Sequence, residues 1–76
     1  MTVNISEQQK RTILEQTKST LLADVYRACL VLGIDPDTFD ISTWTTPDVI
    51  LFYEQQRLGE IKESLALIEE KLAALG

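Results

Sequence analysis

The stretch Gly33-Ile34-Asp35-Pro36-Asp37-Thr38-Phe39-Asp40-Ile41-Ser42-Thr43-Trp44-Thr45-Thr46-Pro47 separates two long segments of helical pattern. Gly33 can take the left-handed conformation that closes a helix, with Ile34 folding back on the last turn. Asp35-Pro36 then offers a cap and a first-position proline, and Ile34 and Phe39 stand as the two sides of a hydrophobic staple. A short helical turn is therefore expected over Pro36–Phe39. The β-branched and polar mixture from Asp40 to Thr45 reads as an extended or irregular crossing. Thr46-Pro47-Asp48 repeats the start signal, ending in an acid where the helix dipole favours it, which places the start of a second helix at Pro47.

Upstream, Ser6 followed three residues later by Gln9 is a capping-box pattern, so the first helix is expected over residues 7–32. Between Glu7 and Thr20 only Ile13 and Leu14 are apolar, whereas Leu21–Leu32 is apolar except for Asp24 and Arg27. One face carries Leu14, Leu21, Val25, Ala28 and Leu32, and an adjacent line carries Leu22, Tyr26 and Cys29. A helix apolar over so much of its girth is buried on more than one side. Asp24 and Arg27, three apart, suit an exposed intrahelical ion pair.

Downstream, a second helix over residues 47–75 shows the strongest periodicity. Leu51, Leu58, Leu65 and Leu72 recur every seven residues, and Ile61, Ile68 and Leu75 interleave at the same interval, with Glu54 the polar exception. In a parallel two-stranded coil Arg57 would face Lys62 of the other strand, which leaves antiparallel or higher-order packing. Gly59, Ala66 and Ala73 form a line of small residues that suits either close approach of another helix or plain helix propensity.

The fold class expected is all-α: two long antiparallel helices in a single domain, residues 1–76. Matching rises of about 1.5 Å per residue from the bend sets Tyr26 near Tyr53, Leu21 near Leu58 and Leu14 near Leu65. In that register Ile68, Leu72 and Leu75 face the polar turns around Glu7–Arg11, with only Val3 and Ile5 available as partial cover. The hairpin is thus expected to complete a bundle by oligomerisation, as a dimer or higher. Leu58, Ile61, Leu65, Ile68, Leu72 and Leu75 are the candidate association residues. Phe39, Trp44, Phe52 and Tyr53 form a second patch around the bend, with local core as the favoured role.

Composition narrows the function classes. At 76 residues, 45% hydrophobic and 25% charged, the chain suits one small folded domain whose core is marginal alone. Its net charge of -5 is uneven: residues 33–48 contribute -4, from Asp35, Asp37, Asp40 and Asp48 with no base. An acidic chain without a basic cluster is a poor ligand for nucleic acid. The longest apolar-rich run, Leu21–Leu32, spans about 18 Å as helix against about 30 Å of hydrocarbon, so no membrane span is expected.

With no histidine and one cysteine, Cys29, the composition offers no thiolate–imidazole metal site, no activated nucleophile and no disulfide within the chain. A reducing, cytoplasmic compartment is expected. The clustered Asp35, Asp37 and Asp40 fail as a calcium loop, which would need an oxygen ligand at Phe39, glycine at Asp40 and glutamate at Thr46. Capping and turn formation are their expected work, and neither metal nor cofactor is anticipated.

No motif specifies a reaction. The leading expectation is a non-enzymatic structural or assembly module acting through helix–helix self-association and contacts with a larger protein. The alternative is a small acidic inhibitor or antagonist that sets Asp37 and Asp40 against a basic surface of a nucleic-acid-processing target. A helix-turn-helix reader fits poorly, because the connection is far longer than three or four residues.

Overall fold

Two α-helices, α1 (Glu7–Leu32) and α2 (Tyr53–Ala74), pack against each other and are joined by a connector holding a 3-10 turn at Ile41–Thr43. The computed structural model describes residues 4–76, among which no strand occurs; Val3 lies outside them. Three contacts fix the antiparallel sense. The Arg11 guanidinium donates to the Leu75 carbonyl (3.4 Å), Lys18 pairs with Glu69 (2.5 Å), and Arg57 pairs with Asp24 (3.5 Å). The longest dimension, 41 Å, is the length of the 26-residue α1 itself.

The start and stop of α1 follow the sequence signals. The Ser6 hydroxyl accepts from Gln9 N–H (3.1 Å) and the Gln9 side chain accepts from Ser6 N–H (3.0 Å). At the other end Gly33 has φ 74°, and Ile34 N–H donates to the Cys29 carbonyl (2.9 Å) while Gly33 N–H donates to Leu30 (3.4 Å). These are the two bonds of a Schellman stop, which a side chain at Gly33 would strain.

Within the connector the expected positions shift. Pro36–Thr38 forms a turn rather than a helix, because Asp35 Oδ1 accepts from Asp37 N–H (3.0 Å) and closes an Asx turn. The helical turn comes instead inside the expected extended crossing, where Asp40 caps Ile41–Thr43 through Ser42 N–H (3.0 Å).

The larger correction is the start of α2, at Tyr53 rather than Pro47. Thr46 is held against the flank of α2, where a Cβ built on Gly59 would lie 2.5 Å from Thr46 Oγ1. The Lys62 ammonium donates to the Trp44 carbonyl (2.6 Å), fixing the connector one turn further down. A helix beginning at Pro47 would carry Thr46 about 20 Å from Gly59. Residues 47–52 therefore run back up beside α2 to reach its N-terminus. Phe52 is extended (φ -130°, ψ 144°), and Gln55 Oε1 accepts from both Leu51 N–H (2.9 Å) and Phe52 N–H (3.2 Å), which starts the helix there.

The later start changes the helix register by about one heptad. Leu65 shares a surface hollow with Lys18 and Leu22, and Leu14 shares one with Lys71 and Leu75, so the expected pairing of Leu14 with Leu65 does not form. The uncovered end foreseen for α2 disappears with it: Ile68 is buried, and Leu72 and Leu75 are half-buried.

Val25, Ala28, Cys29, Leu58, Ile61 and Leu65 form the core, with Leu21 and Leu32 of α1 and Ile34, Phe39, Ile41 and Trp44 of the connector packed on it. The connector is thus a third layer over the helix pair. It covers α1 beside Cys29, but Leu22 (44%), Tyr26 (47%) and Leu30 (61%) stay exposed, so the expected burial of α1 on more than one side is met only in part. Leu58 and Ile61 have no exposed surface, and burial of such side chains stabilises by about 1.5–3 kcal/mol each.

Candidate protein-interaction surface

The expected association residues divide by depth. Leu58, Ile61, Leu65 and Ile68 are buried within the chain, and Leu72 and Leu75 are half-buried where α2 meets the start of α1. What approaches Gly59 in the line of small residues is the chain's own connector.

The aromatics also divide. Phe39 and Trp44 meet edge to face, with ring centroids 5.8 Å apart and planes at 60°, and both pack on the core. The Trp44 Nε1–H is buried without a hydrogen-bond partner among the described residues, a cost of about 1–3 kcal/mol. Phe52, at the end of the return run, and Tyr53, the first residue of α2, by contrast lie exposed.

Two of the connector's four acids, Asp35 and Asp40, do structural work. Asp35 closes the turn at Asp37, whose own side chain is exposed. Asp40 is held below the ordinary aspartate value of 3.8 by Ser42, whose hydroxyl (2.7 Å) and backbone N–H (3.0 Å) both donate to Oδ1. Because the folded-state value is the lower one, this carboxylate stabilises the fold above its unfolded value and loses that effect as pH falls through the folded value. Thermal midpoints of the natural chain and Asp40→Asn are expected to differ at neutral pH and to converge in acid. A constant difference across the titration would assign Asp40 no charge-dependent role.

On the side of the helix pair bearing Asp24, charges are paired with one another. Asp24 binds Arg27 (2.6 Å) and Arg57 (3.5 Å), and Arg57 also reaches Glu60 (3.4 Å). Exposed pairs of this kind contribute little stability, about 0–1 kcal/mol each. Cys29 is a fully buried free thiol, pushed up by its burial, in the manner of a core residue. No group of three or more His, Cys, Asp or Glu able to hold a metal ion occurs among the described residues. No helix there is long and apolar enough to cross a membrane.

What the structure adds is a surface at the bend end. Val49, Ile50, Leu51, Phe52 and Tyr53 are consecutive, apolar and 44–75% exposed, with Leu51 the most exposed. Val31 at the end of α1 is 59% exposed and shares a hollow with Tyr53 and Ala28, rimmed by Asp24, Arg27, Glu54 and Arg57. A contiguous apolar patch beyond a few hundred Å² is uncommon on a monomer and marks an interaction site. Assigning Leu51 to the helical seam hid this surface. Its signal was present all the same: five apolar residues in a row leave an amphipathic helix no polar face.

No protein-family model, curated protein or solved structure matches this chain.

Proposed function

We propose that this chain is a non-enzymatic assembly module that works by protein–protein contact through the apolar surface at its bend. The observation that carries this is the exposed run Val49–Tyr53, which the chain's own fold leaves without cover. The periodic seam of α2, by contrast, is taken up by α1 and the connector. The reading is supported by the hollows on the remaining surface, which are open and whose best-placed ionisable groups are engaged with one another, as in Lys18–Glu69 and Asp24–Arg57. A reducing, cytoplasmic setting belongs to the same proposal and rests on the lone unpaired cysteine.

The test is Leu51→Asp, a change at a side chain 75% exposed and outside both helices, so the fold should tolerate it. The natural chain is expected to enter a complex, with itself or with a protein from host extract, that survives 0.5 M salt and is lost in the variant. The reading is overturned if Leu51→Asp retains every association of the natural chain, or if the natural chain forms none.

The acidic-antagonist reading is favoured by one feature, the exposure of Asp35, Asp37, Asp40 and Asp48 along the connector. Association through those carboxylates would collapse as salt rises past a Debye length of about 8 Å, whereas apolar association would not.

A further inference from the structure

We propose that the occupant of the bend-end surface is a second copy of this chain, docked about a two-fold axis through Val49, Ile50, Leu51, Phe52, Tyr53 and Val31. This rests on the assembly reading above and names its partner.

The first support is area. Those six side chains, each roughly half to three-quarters exposed, present on the order of 600 Å² of apolar surface. A standard interface buries about 800 Å² per partner, of which about 500 Å² is apolar, so the patch is large enough to form the centre of such a contact. It is also aromatic-rich and free of charge within the run, as interface centres are.

Charge is the second support. The chain carries -5, and two copies meeting through the stretch that holds Asp35, Asp37 and Asp40 would set acid against acid. The hollow beside Val31 and Tyr53 is instead edged by two acids and two bases, Asp24 and Glu54 with Arg27 and Arg57. A neutral, mixed-sign rim carries no net repulsion against its own copy across a two-fold axis. A strongly basic or acidic partner would meet the wrong sign at half of these positions.

Third, the backbone works against the open-ended alternative. An apolar, β-prone run invites strand addition without limit. Here the N–H groups of Leu51 and Phe52 are both taken by Gln55 Oε1, which removes two of the donors that a strand edge would offer. Side-chain docking closes at two copies.

Sedimentation equilibrium on the full chain is the test. The natural chain is expected at twice its 8.6 kDa at tens of micromolar. In Leu51→Asp the dissociation constant should rise about a hundredfold or more, since each dimer loses two buried leucines, with helical circular dichroism unchanged. Leu51→Cys, facing its own symmetry mate, should cross-link under mild oxidation to a single dimeric species. A natural chain that remains monomeric at 100 µM overturns the second-copy proposal. If Leu51-dependent capture of another protein persists in that case, the assembly reading stands alone. A dimer that survives Leu51→Asp places the contact elsewhere, and growth into polydisperse aggregates replaces two-fold docking with strand addition; either result overturns the proposal.

Discussion

Replacing Leu65 and Ile68 together by aspartate is expected to abolish the folded state, leaving a chain without helical circular dichroism at any concentration. Both residues are 7% exposed or less, on the face of α2 turned towards α1. Truncating a buried leucine or isoleucine alone costs about 2–5 kcal/mol, and desolvating a carboxylate at each position adds to that. A domain of this length has roughly 4–11 kcal/mol of stability in total, so the pair exceeds it. A folded, helical double variant would show that these side chains face outward and that the hairpin core lies elsewhere. The contrast with Leu51→Asp separates the two apolar surfaces: one holds the chain together, and the other is proposed to hold copies together.

Gly59→Leu is expected to drive the connector off α2 while the helix pair persists. A side chain there meets Thr46 Oγ1 at its first carbon, 2.5 Å away, and a leucine adds three more carbons beside the same connector residue. Overpacking of this kind costs about 1–3 kcal/mol, or roughly 4–8 °C of melting temperature per kcal/mol at this size. Trp44, whose carbonyl is bound by Lys62 one turn below, should report the release as a red shift of its emission. Gly59→Ala sets about 0.8–1 kcal/mol of helix propensity against the same contact. It should become plainly stabilising only when Thr46→Ala removes the opposing hydroxyl, a coupling read by the double-mutant cycle. Unchanged melting and emission in Gly59→Leu would mean that the connector does not depend on this approach.

Local chemistry was legible wherever one residue type determines one conformation. Ser6 with Gln9, and Gly33 with Ile34, act through bonds to their nearest neighbours, and both ends of α1 lie where the sequence puts them. The seven-residue spacing of Leu58, Ile61, Leu65 and Ile68 likewise identified the buried face of α2. The start of α2 was not legible, because Thr46-Pro47-Asp48 is a sound local signal overridden by a distant one. Gly59, thirteen residues on, opens the space into which Thr46 packs. One displaced boundary then propagated: it put Leu51 in the seam, moved the helix register by a heptad, and left Leu72 and Leu75 apparently uncovered. The bend-end surface was concealed by the same error, since Val49–Phe52 lies outside the helix that the local signal places there.

The length of the connector has an entropic consequence. Twenty residues separate Leu32 from Tyr53, where about five would join two antiparallel helices. Closing a flexible loop costs only about 0.6 kcal/mol more for each doubling of its length, so the longer path adds roughly 1.2 kcal/mol to the cost of bringing the helices together. Ordering each connector residue costs far more, about 1–2 kcal/mol of backbone freedom. Ile34, Phe39, Ile41 and Trp44 offset that by packing on the core. The run from Val49 to Phe52 has no such compensation within the chain, which makes it the segment whose ordering gains most from a surface supplied from outside.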